Sequence, residues 1–134
     1  MGQTLGGAQV IADTTFLIHF FNEGRAGRRG PARTFFAENR TEAVRTTIIS
    51  LGEIAPSFAT SPDAWAYFNL WKVYRLHPGI VDAAADVDRE LIRTGERLGE
   101  NDNWIAGFCR YYRDPVISLD AAFDRVRGLR RLPY

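Results

Sequence analysis

The chain has 134 residues, about the size of one domain, and 46% of them are hydrophobic, which is enough for one core. With 25% charged and 13% aromatic residues, the composition excludes collagen-like and low-complexity proteins and argues against disorder. No apolar run reaches 18 residues, so no membrane span or secretion signal is expected. Because the single cysteine cannot form an internal disulfide, we expect a cytoplasmic protein. The net charge of +1 argues, as a total, against a nucleic-acid partner.

The first third of the chain alternates strand and helix patterns. Residues 9–12 (QVIA) predict a short strand, and the spacing of apolar residues over 14–24 predicts a helix that stops at its glycine. Residues 24–31 are predicted to be a loop, followed by a short helix over 31–40 that has proline in its first turn. The β-branched run 43–49 (AVRTTII) predicts a second strand.

Helices predominate in the rest of the sequence. Ser50 is predicted to open a helix, and Pro56 is predicted to kink or shorten it. Further helices are expected over 62–74, 80–93 and 102–112, and strands over 116–118 and 129–132. This order predicts a single α/β domain over residues 1–134, helix-rich, with a central parallel sheet that helices cover on both faces.

Four acids lie where such a fold brings strand ends together. Asp13 directly follows the first strand, Glu53 lies three residues after Ser50, and Asp120 lies two residues past the strand 116–118. Asp102 begins the helix that leads back into that strand. Each acid alone is explained as a helix cap, and Ser50 with Glu53 matches a capping box. Together they point to the carboxyl edge of the sheet, where α/β folds bind ligands.

Four carboxylates at one edge would repel one another unless a cation compensates their charge. Oxygen ligands favour Mg²⁺ or Mn²⁺, and the scattered His19, His77 and Cys109 lack the spacing of a zinc site. His19 is interpreted as a structural histidine on an apolar helix. Asp86 and its helix neighbours are interpreted as a solvated acidic face.

Arginines are concentrated in two segments. Residues 25–33 and 125–134 hold eight of the seventeen basic residues and no acid, so the remainder carries 9 − 16 = −7. Arginine forks suit phosphate oxygens, and the acids of a protein partner are an equally weighted alternative. The candidates for RNA or partner contact are Arg25, Arg28, Arg29 and Arg33.

Four sequence blocks, in order, resemble one known family: VIADTTFLIHFF, IISLGEIAPS, RTGERLGENDNWIAGFC and VISLDAAFDRVRGLRRL. Together they resemble a PIN-domain ribonuclease, and within that group a VapC-type toxin of type II toxin–antitoxin systems. The resemblance extends from Val10 to Leu132 and is thinnest between Phe58 and Val81.

The resemblance implies an α/β/α sandwich and Mg²⁺- or Mn²⁺-dependent endonucleolytic cleavage of RNA. It also implies a homodimer and inhibition by a cognate antitoxin. Transferred position by position, the resemblance implies a catalytic pocket of four acids that two hydroxyl residues support. Asp13 and Asp102 would contact the metal directly, and Glu53 and Asp120 would contact it directly or through water. The hydroxyl residues are Thr14 and Ser118.

Two departures from the family pattern keep an alternative open. Ala122 stands where the family often has another polar residue, and Pro56 is unusual just after the helical Glu53. The alternative is a non-catalytic PIN-like module that binds RNA or protein.

Overall fold

The computed structural model of the protein describes residues 9–39 and 43–134. Its strands form one sheet in which every neighbouring pair is parallel, in the order β3-β2-β1-β4-β5. The strands are β1 (Gln9–Ala12), β2 (Ala43–Thr47), β3 (Lys72–Tyr74), β4 (Val116–Ile117) and β5 (Arg131–Leu132).

Helices cover both faces of this sheet. Side chains alternate along the strands, so that Ile11 and Val116 belong to one apolar core, and Val10 and Ile117 belong to the other. The last two helices pack on the first face and the earlier ones on the second. They are α1 (Thr14–Arg25), α2 (Pro31–Glu38), α3 (Ile48–Ile54), α4 (Ser61–Phe68), α5 (Pro78–Thr94) and α6 (Glu100–Tyr112), with 3₁₀ turns at Ala55–Ser57 and Ala121–Arg125. The predicted helix-rich α/β sandwich is confirmed.

The second strand is shorter than predicted. Residues 48 and 49 belong to α3, because the Thr47 hydroxyl accepts the Ser50 N–H at 3.3 Å and caps the helix there. The interpretation of Ser50 and Glu53 as a capping box is therefore wrong. Pro56 does shorten the helix, which ends at Ile54 and continues as a 3₁₀ turn.

A strand was missed at the edge of the sheet. The predicted helix over 62–74 stops at Phe68, and residues 72–74 form β3 instead. Lys72 pairs with Arg45 and Tyr74 pairs with Thr47 of β2. The pairing supplies long-range backbone hydrogen bonds that outweigh the local helical spacing.

The remaining elements differ from prediction only at their ends. Helix α1 continues one residue past Gly24. Helix α5 begins at Pro78, because the imidazole of His77 accepts the Gly79 N–H and caps it. Helix α6 begins at Glu100, which places Asp102 inside its first turn and not at its cap. Within the described ranges, no helix combines the length and the apolar character needed to cross a membrane.

Candidate active site

The carboxyl ends of β1 and β4 meet at one edge of the sheet. The Asp13 N–H donates to the Ile117 carbonyl at 3.1 Å, which places the residues that follow the two strands side by side. Helix α3 starts directly after β2, the other neighbour of β1, and presents its first turns to the same edge. The topology therefore brings Asp13, Ser118 and Asp120 close to the start of α3.

Asp13 is the most buried of the four acids, with 6% of its surface exposed. One carboxylate oxygen accepts the Phe16 N–H at 2.9 Å and caps α1. Burial raises the pKa of Asp13, against hydrogen bonds from Ser118 and Phe16 that lower it, and the charge of Asp120 raises it further. The carboxylate thus has a structural role as a cap and still carries an electrostatic cost.

Asp102 lies half-buried in the first turn of α6. Burial is the largest cause that raises its pKa to about 6, and the charges of Asp120, Asp13 and Glu53 add to it in that order. Asp102 therefore lies within electrostatic reach of all three other acids. This coupling places the other three predicted acids in the neighbourhood of Asp102 at one edge of the sheet.

Glu53 projects from α3 and is exposed. The Thr14 hydroxyl, at the start of α1, donates to its carboxylate and also makes a 3.0 Å hydrogen bond with the Ser50 hydroxyl. Ser50 is fully buried and lies one helical turn before Glu53. From the sequence, Ser50 is predicted only to cap the helix that follows β2. The signal that could have identified its place at the site is its spacing of three residues from Glu53.

Asp120 is exposed and caps the 3₁₀ turn that follows β4, since its carboxylate accepts the Ala122 N–H at 2.9 Å. Its own N–H donates to the hydroxyl of the fully buried Ser118 at 2.9 Å. Ser118 is also among the hydrogen-bonding causes that lower the pKa of Asp13, so its hydroxyl lies beside both acids. The departure at Ala122 leaves this arrangement intact, because its contact is made through the backbone.

Basic side chains do not neutralise the four acids. The ion pairs among the described residues involve other acids, namely Asp86, Asp88, Glu90 and Asp124. Arg131, whose guanidinium donates to the Ser118 carbonyl at 3.3 Å, is engaged by Asp124 through two bonds of 3.0 Å. Among the described residues, no ion pair compensates the negative charge at this edge.

The site suits a hard divalent cation by its chemistry but does not enclose one. In the part of the chain that the structure describes, no three His, Cys, Asp or Glu side chains come close enough together to hold an ion among them. Mg²⁺ commonly binds through one or two carboxylates, keeping several waters. Oxygen donors that lack a basic partner fit such a mode of binding.

The four candidate arginines separate into two groups. Arg33 donates to the Phe20 carbonyl at 2.9 Å and lies 4.0 Å above the Phe20 ring, and Arg25 lies over Phe21. Arg28 and Arg29, in the loop between α1 and α2, are exposed and form no ion pair with the residues that the structure describes. These two remain available for a ligand.

Comparisons with known proteins agree with this architecture. A model of the PIN domain family matches residues 10–129, whereas no curated protein matches the chain. A chain of VapBC2 from Rickettsia felis, bound to a promoter DNA fragment, superposes with a TM-score of 0.77 at 12% identity, covering 92% of this chain and 97% of that one. DNA-bound VapBC from Salmonella typhimurium gives 0.77 at 19% identity, covering 94% and 98%.

A third structure, VapBC-5 from Mycobacterium tuberculosis, described as a member of the VapBC family of toxin–antitoxin systems, gives 0.64 at 20% identity, covering 96% and 99%. At these identities the superpositions show the fold. The family match spans nearly the whole length from β1 to the turn before β5 and includes all four acids. The chain belongs to the PIN-domain family.

Proposed function

We propose that the protein is a Mg²⁺- or Mn²⁺-dependent endoribonuclease and the toxin of a toxin–antitoxin pair. The observation that carries the proposal is the electrostatic coupling of Asp102 to three further acids at the carboxyl edge of a PIN-domain sheet, none of them in an ion pair among the described residues. Perturbed carboxylates that cluster without a structural partner mark functional sites. PIN domains are generally nucleases, which gives the cluster its chemistry.

Asp13 and Asp102 would hold the cation directly, and Glu53 and Asp120 would hold it directly or through water. The bound cation would activate a water molecule and stabilise the charge on the phosphate and the leaving oxygen. Asp102 must be deprotonated to bind it, and its pKa of about 6 makes it so at neutral pH.

The hydroxyl residues orient the acids. Thr14 donates to Glu53, and Ser118 accepts the Asp120 N–H and is among the hydrogen-bonding causes that lower the pKa of Asp13. Such supporting contacts fix the direction in which a carboxylate presents its oxygens. Cys109 does not serve as a nucleophile, because it is buried and burial raises the pKa of its thiol. The attacking group is therefore water.

Arg28 and Arg29 would bind phosphates of the RNA, since both are exposed in the loop beside α1. Arg25 and Arg33, which pack on phenylalanine rings of α1, would contribute less. A cognate antitoxin is the proposed protein partner, supported by the toxin–antitoxin complexes among the similar structures. A cytoplasmic homodimer remains part of the proposal.

The acidic site is tested by replacing Asp13 or Asp102 with asparagine, which preserves shape and removes charge. We expect either change to lower Mg²⁺-supported cleavage of a total RNA pool by at least about a hundredfold, as loss of a metal ligand should. Asp86→Asn, on an exposed acid paired with Arg89, is the matched control and should cleave normally. Undiminished cleavage by both Asp13→Asn and Asp102→Asn would refute the assignment.

One observation favours a second candidate, the non-catalytic binding module. The described acids do not enclose an ion in the arrangement the chain adopts. Titration with Mn²⁺, read by calorimetry or by Mn²⁺ relaxation of solvent water, separates the two. Binding that Asp102→Asn abolishes supports the enzyme, whereas no binding together with no cleavage of any RNA supports the module.

A further inference from the structure

A cavity of about 540 Å³ lies near the acidic site and is lined in part by Arg28 and Arg29. It opens between α1 and the loop that follows it. The volume falls within the range of small-molecule pockets, large enough for one nucleotide. Its lining includes His19, Asn22, Arg28, Arg29, Leu119 and Tyr134.

The cavity lies close to the catalytic edge of the sheet, and the four acids themselves are not part of its lining. Leu119, on its rim, lies between the site residues Ser118 and Asp120 in the chain. His19 and Asn22 are three residues apart on α1, the helix that Asp13 caps, and so lie on one face. Burial raises the pKa of Tyr134, and the nearby charges of Asp13 and Glu23 raise it further. A ligand in the cavity would therefore lie next to the acids.

One wall of the cavity is an aromatic corner formed by His19 and Tyr134. The imidazole Nδ1 and the phenol oxygen are 2.9 Å apart, and the two rings meet at 69° with centroids 5.8 Å apart. Tyr134 also packs edge-on against the buried Phe16, at 4.9 Å between centroids. The corner is held by these contacts and offers flat apolar faces together with polar atoms.

Another wall is the loop between α1 and α2 that carries Arg28 and Arg29, and Glu23 holds this loop in place. Its carboxylate accepts the N–H groups of Gly30, Ala32 and Arg33 at 2.8 to 3.0 Å. Burial raises the pKa of Glu23, but these hydrogen bonds and the Arg33 charge outweigh it and lower the pKa overall. A Cβ on Gly30 would lie 2.6 Å from the Glu23 carboxyl, so this close approach requires glycine. The backbone that carries Arg28 and Arg29 is thus anchored beside the cavity.

We propose that this cavity is a subsite for one nucleotide of single-stranded RNA, adjacent to the phosphate that is cleaved. Arg28 and Arg29 bind the nucleotide's phosphate, and the base lies against the corner of His19 and Tyr134. The Asn22 amide lies within the same cavity and can hydrogen-bond a base edge. An unpaired base enters such a cavity without loss of base pairing and stacking, so the subsite favours single-stranded RNA. The inference rests on the proposed function for its location beside a scissile bond.

The test measures binding apart from cleavage. Fluorescence anisotropy with a fluorescein-labelled, randomised 12-nucleotide RNA is recorded on the full chain in EDTA. We expect Arg28→Ala/Arg29→Ala to weaken binding at least about tenfold and to reduce the salt slope of log Kd by about 0.7, because the two arginines together neutralise one phosphate of a single strand. Arg89→Ala, which removes an exposed arginine paired with Asp86 on α5, is the matched control and should change little.

The aromatic corner is tested with Tyr134→Leu, which keeps an apolar side chain against Phe16 but removes the ring. Loss of base stacking is expected to weaken binding roughly tenfold. Tyr134→Phe keeps the ring and loses only the hydroxyl, so it should retain most of the binding. Thermal unfolding confirms that each variant is folded.

The outcomes separate the subsite from the proposed function. Wild-type RNA binding and cleavage by both the arginine and the Tyr134→Leu variants would overturn the subsite and leave the nuclease standing. Cavity-dependent binding without any cleavage would uphold the subsite and reject the nuclease. If the variants lose only a co-expressed protein partner encoded by the adjacent reading frame, and keep RNA binding, the cavity belongs to that partner and the proposal fails.

Discussion

The two ends of the sheet treat buried acids in opposite ways. At the carboxyl end, Asp102 meets three further carboxylates, and each of them raises its pKa. At the amino end, Asp114 precedes β4 and accepts a 3.0 Å hydrogen bond from the Tyr74 hydroxyl. The guanidinium of Arg45 lies 5.3 Å from the centroid of the same Tyr74 ring.

Burial is the first cause of a raised pKa for both acids, but their neighbours differ in sign. The Tyr74 hydrogen bond and the Arg45 charge lower the pKa of Asp114, whereas every charge near Asp102 raises its pKa. A protein that needed Asp102 only for folding would gain stability from a basic partner. The contrast indicates that the amino end supplies hydrogen-bonding and cationic neighbours to its buried acid, whereas the charges that act on Asp102 at the carboxyl end are all negative.

The largest expected effect on stability comes from substitution of Asp114 at the amino end of the sheet. Asp114→Ala would leave the Tyr74 hydroxyl and the Arg45 guanidinium beside a void in a buried network. We expect the unfolding free energy to fall by about 2 kcal/mol, as for other buried groups that lose a partner. Urea denaturation measures it.

The cleavage rate per folded molecule of Asp114→Ala should stay normal, because the residue lies at the far end of the sheet. A change in unfolding free energy below about 0.5 kcal/mol, which is the usual scale of neutral surface substitutions, would contradict the comparison.

At the carboxyl end of the sheet, removal of an acid should raise the free energy of unfolding instead of lowering it. Asp102→Asn removes a charge that the fold disfavours, so we expect it to stabilise the metal-free protein at pH 7. The rise in pKa from 3.8 to about 6 corresponds to about 3 kcal/mol, which solvent screening of this half-buried side chain reduces to about 1 kcal/mol. Thermal and urea unfolding in EDTA measure the gain.

In Mg²⁺, the wild-type protein should become more stable than Asp102→Asn, since a ligand that binds only the folded state raises its stability. The melting temperature of the wild-type protein should rise with Mg²⁺, and that of Asp102→Asn should not. Asp86→Asn, on the Arg89-paired surface acid, provides the control with a normal Mg²⁺ response. Destabilisation by Asp102→Asn in EDTA would show that its charge is compensated after all.

The smallest effect is a dependence on pH. Because the folded pKa of Asp102 lies above the unfolded value, the folded state binds the proton more tightly between pH 3.8 and about 6. The destabilisation of the folded state by the charged Asp102 carboxylate is fully present above pH 6 and declines as the pH falls through that value. The stability advantage of Asp102→Asn over wild type should therefore shrink between pH 7 and pH 5.

Chemical denaturation at several pH values, with wild type and Asp102→Asn compared at each, gives this difference directly. An advantage that grows toward low pH would mean that Asp102 is stabilised as a carboxylate. In that case the contrast between the two ends of the sheet would disappear.

Much of the fold could be predicted because local chemistry encodes it. The apolar run of β1 and the apolar spacing and caps of α1 and α5 act over a few residues, and the structure confirms all three elements. Asp13 follows β1 directly and Asp120 lies three residues beyond the end of β4, so predicting the strands was enough to expect both acids at one edge. Strand β3 was missed because a three-residue segment becomes a strand only through its pairing with β2.

The sequence by itself determined the α/β sandwich and every helix and strand except β3, and it predicted the four acids, because each of these depends on periodicity or on position relative to a strand or a helix. Only the tertiary structure decided which charges are compensated, since ion pairs such as Arg110–Glu90 join residues that are far apart in the chain. It also separated Arg28 and Arg29 from Arg25 and Arg33, and it brought His19 against Tyr134 across 115 residues. Such contacts arise from packing between distant segments, which no local pattern records.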